Sequence, residues 1–208
     1  MYRALSFILR WSVLLFVPGG VLWVLSPVGV YISNVRFHTP NVFWKLFPSA
    51  PLLLLIGLVG LYLLVSSRSG RLGKVGFLLA LLGLVLILAG DVGDFWVKLD
   101  EHYIMVAPAY HAFRLGLVVL AVGCVLVGVV AGSERTVPVW GALPFAVGGL
   151  CGLVSFSRDL GKFGTALWML FGLAWTWLAL VLLFEGLRRF WRERHAEPPA
   201  AKPGTKPL

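Results

Sequence analysis

Charge is what this chain has least of. Charged residues fill 13% of its 208 positions, and nine residues carry a carboxylate, where an average soluble domain is about 25% charged. A soluble fold of this length cannot hide a composition that is 59% hydrophobic, because too much of a small body is surface. Cysteine is almost missing as well. Cys124 and Cys151 both lie in apolar runs, which excludes a disulfide framework and a CxxC metal clip. No GxSxG elbow supplies an exposed nucleophile. SSRSGRLGKVG, at 66–76, offers glycine and base but lacks the P-loop spacing, and reads as a tight turn. The net charge of +9 is not a nucleic-acid footprint, since no basic surface is interleaved with base-stacking aromatics.

What remains is a succession of apolar runs near twenty residues long, the length that crosses a bilayer as a helix. The sequence predicts an all-α integral membrane protein, a compact bundle of six transmembrane helices in one domain, 1–187. A basic Pro/Ala/Lys-rich tail, 188–208, is expected to be disordered. The first span falls within Leu5 to Ile32, broken by Pro18-Gly19-Gly20 and by Pro27. The others run Pro48 to Ser67, Gly73 to Phe95, Ala112 to Ala131, Val137 to Ser157 and Phe163 to Glu185. MYRALSFILR followed by WSVLLFV resembles a signal sequence in charge and core, but no A-x-A site follows, so retention as the first span is expected.

Orientation follows from the cations. With the N-terminus inside, inner segments hold twelve of the eighteen Lys and Arg and outer segments six. That bias puts both termini in the cytoplasm, in a plasma or inner membrane. Arg188, Arg189, Arg192 and Arg194 then meet anionic headgroups at the inner surface, each worth about 1 kcal/mol.

The third span carries Gly76, Ala80, Gly83 and Gly90 on one helical face, and the same face continues to Asp94. The fifth repeats the arrangement with Gly141, Gly148, Gly152 and Ser155, continuing to Asp159. A shift of 65 residues superposes Gly76 on Gly141, Gly83 on Gly148 and Asp94 on Asp159. Small residues on one face let membrane helices approach closely, so both faces are expected to pack inward. Lys98 and Lys162 lie one turn beyond the aspartates as interfacial ion-pair partners.

Asp91 stands apart. It ends a run of sixteen uncharged residues, Val75 to Gly90, about 24 Å of helix against a hydrocarbon core of about 30 Å. A carboxylate at that depth is a candidate proton or cation ligand, and Asp94 and Asp159 are candidates beside it. His38, His102 and His111 share the outer side and form the candidate metal set, although no HxxxH or HExxH pair places two imidazoles on one face. A haem held by His102 and His111 is a weaker alternative. Trp168, Phe171 and Trp175 line one face of the sixth span, either as a quinone pocket or as packing opposite glycine.

The sequence therefore favours a non-enzymatic accessory or assembly component, with no cofactor and no nucleic acid. Its expected partners are anionic lipid, other membrane proteins or a second copy of itself. A small proton- or cation-coupled permease is the alternative, and a membrane metal or redox protein the third reading.

Overall fold

A computed structural model describes residues 13–32, 46–65, 70–95, 108–157 and 161–195. It contains six α-helices: α1 (Phe16–Ile32), α2 (Ser49–Val65), α3 (Arg71–Phe95), α4 (Pro108–Ser133), α5 (Val139–Ser157) and α6 (Gly161–His195). There is no strand among the described residues. Four stretches, Arg71–Gly93, Pro108–Ser133, Val139–Phe156 and Phe163–Gly186, are long and apolar enough to cross a membrane. α1 and α2 are shorter at 17 residues each, about 25 Å of helix. The outer surface is apolar on every helix, with Leu25, Leu52, Leu78, Leu82, Leu115, Leu143 and Leu173 exposed. A helix apolar all round is stable only where its surroundings are apolar too, and the architecture is that of a membrane-embedded protein.

Each helix packs on the next in sequence, and α6 returns to α1, closing a ring. The joints are small residues. A Cβ added at Gly83 would lie 2.4 Å from the Leu120 backbone nitrogen, and one at Gly123 would lie 2.4 Å from the backbone nitrogen of Ala80. α3 and α4 therefore meet backbone to backbone, each supplying glycines to the other. Glycine in a helix interior costs about 1 kcal/mol of propensity relative to alanine, and the close packing it permits offsets that cost. The ring closes at Gly20 and Gly172, where α1 crosses α6.

The first helix is not broken. α1 runs unbroken from Phe16 through Pro18-Gly19-Gly20 and past Pro27. Pro18 sits in the first turn, where its missing N–H has no intrahelical acceptor to serve. Gly19 and Gly20 are contact points for Leu54 and Gly172, not hinges. The sixth helix is longer than its apolar run. It carries Arg188 to His195 in continuous helix, so the four arginines lie on α6, and 196–208 fall outside the described residues.

The α4–α5 turn shows how the sequence stops a helix without glycine. Thr136 N donates to Ala131 O at 3.1 Å and Arg135 N to Gly132 O at 3.3 Å, the paired bonds of a Schellman ending. The motif demands a left-handed residue, and Arg135 takes it at φ 53°. An L-residue with a Cβ is strained there by about 1–2 kcal/mol. Arg135→Gly is expected to raise stability by about 1 kcal/mol, read as a higher melting temperature in detergent; no gain would mean the ending is held otherwise. Across this end of the bundle, the Glu134 carboxylate accepts a hydrogen bond from Gly70 N at 3.0 Å. It thereby caps the N-terminus of α3, whose helix dipole favours an anion there.

Candidate functional site

The acid buried inside a span among the described residues is Asp91. It lies on α3 with none of its surface exposed, beneath neither solvent nor lipid. The helix period explains why. Phe77 and Leu84, fourteen and seven residues earlier, lie on the same interior stripe and are buried in the core. Beside it, the first turn of α4 closes over Gly90, whose added Cβ would lie 2.5 Å from Ala109 O and 2.6 Å from Phe113 N. An ionised carboxylate costs several kcal/mol to bury unless it is neutralised or paired.

Asp94 lies in the last turn of α3. Asp159, His38, His102 and Lys98 lie outside the described residues. His111 is exposed in the first turns of α4, its ring 6.1 Å from that of Tyr110, and Arg114 sits over the same Tyr110 ring at 5.9 Å. Among the described residues, no group of three His, Cys, Asp or Glu side chains has the spacing to hold a metal.

The two glycine faces each pack against the helix that follows in the chain. Gly76 meets Leu126 and Val127 of α4, and Gly83 meets Leu120; Gly141 meets Val181 of α6, and Gly148 meets Ala174. A shift of 65 residues relates the glycines, and a shift of 54 relates Leu120 and Val127 to Ala174 and Val181. Hairpins α3–α4 and α5–α6 therefore share one register. Under that register Asp91 corresponds to Phe156, which is buried and packs edge-on against Trp168 and Phe171 at 4.9 Å and 5.7 Å. An aromatic ring satisfies the packing needs of this position in one hairpin, while the other holds a carboxylate.

The centre of the ring is aromatic. Trp175 touches Phe16 of α1 at 5.2 Å, Phe145 of α5 at 4.8 Å and Phe171 at 6.3 Å. Trp23 stacks on Trp168 at 5.6 Å and meets Phe47 at 5.2 Å and Phe171 at 5.4 Å. Phe47 reaches Phe113 of α4 at 6.1 Å. Trp168, Phe171 and Trp175 thus pack against one another's neighbours within the bundle. The indole nitrogens of Trp23, Trp168 and Trp175 are buried without a hydrogen-bond acceptor among the described residues. One interior cavity is about 20 Å³, lined by apolar side chains including Leu61, Phe77, Val127, Phe145 and Leu178. That is room for about one water, with nothing to hold it.

One polar contact had no sequence signal. Pro144 lies inside α5, so the Trp140 carbonyl four residues earlier lacks its helical donor. The indole of Trp177 on α6 supplies it, Nε1 donating to Trp140 O at 2.9 Å. Trp177→Phe leaves that carbonyl unsatisfied and is expected to cost about 1–2 kcal/mol. Pro144→Ala restores the helical donor, so adding it should recover most of the loss; thermal melts of the single and double variants check this.

No family model, curated protein or solved structure matches this chain.

Proposed function

We propose that this is a six-span membrane protein with cytoplasmic termini that acts without catalysis, as an accessory or assembly component presenting its helix faces and outer loops to other membrane proteins. The observation that carries this reading is the packed interior. Helices joined through glycine, a ring of interlocked aromatics and an apolar void of about 20 Å³ make up that interior among the described residues. Transporters, by contrast, build their sites from broken helices around a wet cavity. α1 and α2 reach the lower end of spanning length, about 17 residues.

The complete burial of Asp91 favours a second reading, a small proton- or cation-coupled permease with Asp94 and Asp159 near the outer mouth. Intramembrane acids commonly mark such pathways. One experiment separates the two. Purified protein in liposomes, with imposed proton, sodium or potassium gradients, is expected to dissipate them no faster than protein-free liposomes. Faster decay that Asp91→Asn abolishes would replace the accessory reading with the permease.

A further inference from the structure

The outer surface carries a groove of about 450 Å³ between α5 and α6, with Gly148, Cys151 and Ala174 among its lining and Leu170, Leu173 and Trp177 along it. The volume falls within the about 300–1,000 Å³ typical of small-ligand sites, and the groove opens where hydrocarbon surrounds the protein. Its polar atoms are already engaged. Trp177 Nε1 donates to Trp140 O at 2.9 Å and Thr176 Oγ1 to Gly172 O at 3.4 Å. With only the weak Cys151 thiol left as a donor, the occupant there is apolar. On α5 the groove begins at Pro144, about 8 Å along the helix from Val139, and runs about 10 Å further to Cys151. Acyl chains of one leaflet reach most of that depth in a core about 30 Å thick.

The same helix supplies a charge in line with the groove. Trp177, Phe184 and Arg188 are all exposed on α6, spaced seven and four residues apart, which keeps them on one face. Trp140 joins Trp177 and Phe184 edge-on at 6.2 Å and 6.5 Å, an aromatic shelf between groove and arginine. We propose that this face binds one anionic phospholipid, an acyl chain lying in the α5–α6 groove and the headgroup phosphate meeting Arg188. This goes beyond a diffuse attraction of basic residues to a charged surface, because it ties one headgroup to one shaped apolar slot. It rests on the chain spanning the membrane and is independent of whether Asp91 conducts.

The test is native mass spectrometry of the full chain in detergent, titrated with phosphatidylglycerol and with phosphatidylcholine of the same acyl chains. One phosphatidylglycerol per chain is expected to be retained in preference to phosphatidylcholine. Arg188→Gln should weaken that retention about fivefold, the factor one basic residue is worth at an anionic surface, and weaken phosphatidylcholine, whose phosphate charge is offset by its own choline, by less. Cys151→Phe, which fills the groove, should abolish saturable binding of both lipids. If Cys151→Phe misfolds, Arg188→Gln alone decides. Equal retention of the two lipids, indifference to Arg188→Gln, or a dimer of the chain that Cys151→Phe dissociates would overturn the site.

Discussion

Gly83→Leu is expected to prevent the bundle from assembling, with a loss above about 4 kcal/mol. The Cβ alone would lie 2.4 Å from the backbone nitrogen of Leu120 and 2.6 Å from its Cα. A side chain can rotate away from a clash at its tip, but a Cβ is fixed by the backbone, so α3 and α4 would have to move apart. That separation would also pull Gly76 from Val127 and Gly116 from Ile87, since all lie along one interface. Gly83→Ala, carrying only the Cβ, should cost about 1–3 kcal/mol as overpacking. Gly186, on the exposed end of α6, has nothing within 4 Å of an added Cβ. Gly186→Ala should therefore stabilise by up to about 1 kcal/mol through helix propensity. Melting temperatures in one detergent compare all three. A Gly83→Leu variant as stable as its parent would mean that α3 and α4 do not touch as described.

Trp175→Ala is expected to cost about 3 kcal/mol. This is the low end of the range for an aromatic core residue, because a chain unfolded within lipid recovers part of the apolar contact. Trp175 is fully buried and bridges α1, α5 and α6 through Phe16, Phe145 and Phe171. Its loss opens a void where three helices meet. Trp175→Phe should cost far less, about 1.5 kcal/mol or under, since the indole nitrogen has no acceptor to lose. Nearly equal losses for Ala and Phe would show that the nitrogen, not the ring, matters at this position. That would point to a water or ligand held in the aromatic centre.

The existence of all six helices was legible because apolar runs and their charged punctuation are local properties. The Gly76–Gly83–Gly90 face was legible for the same reason, as a period of the helix. Its counterpart on α4 was not read, although Gly116 and Gly123 are seven residues apart and pack on Ile87 and Ala80. A valine-rich run with scattered glycines gives no sign of which neighbour each glycine meets. Pro18-Gly19-Gly20 looked like a break because proline and glycine disrupt isolated helices; in the bundle, position in the first turn and contact with α2 and α6 decide instead. Pro144 raised no suspicion, and only the tertiary structure reveals that Trp177 answers the carbonyl it frees. The depth of Asp91 could be estimated by counting rise along α3. That it faces the interior rather than the interface required knowing where α2 and α4 stand.

A packed, dry interior is tested by single cysteines along the inward stripe of α3. In a background with Cys124 and Cys151 replaced by alanine, Phe77, Ala80, Leu84, Ile87 and Asp91 are changed to cysteine one at a time, with exposed Arg71→Cys as the positive control. Membranes are then treated from either side with a charged, water-borne thiol reagent. Labelling is expected at position 71 and at none of the five interior positions. Labelling that runs through positions 84, 87 and 91 would reveal water along α3, contradict the packed bundle, and make Asp91 the first residue of a pathway.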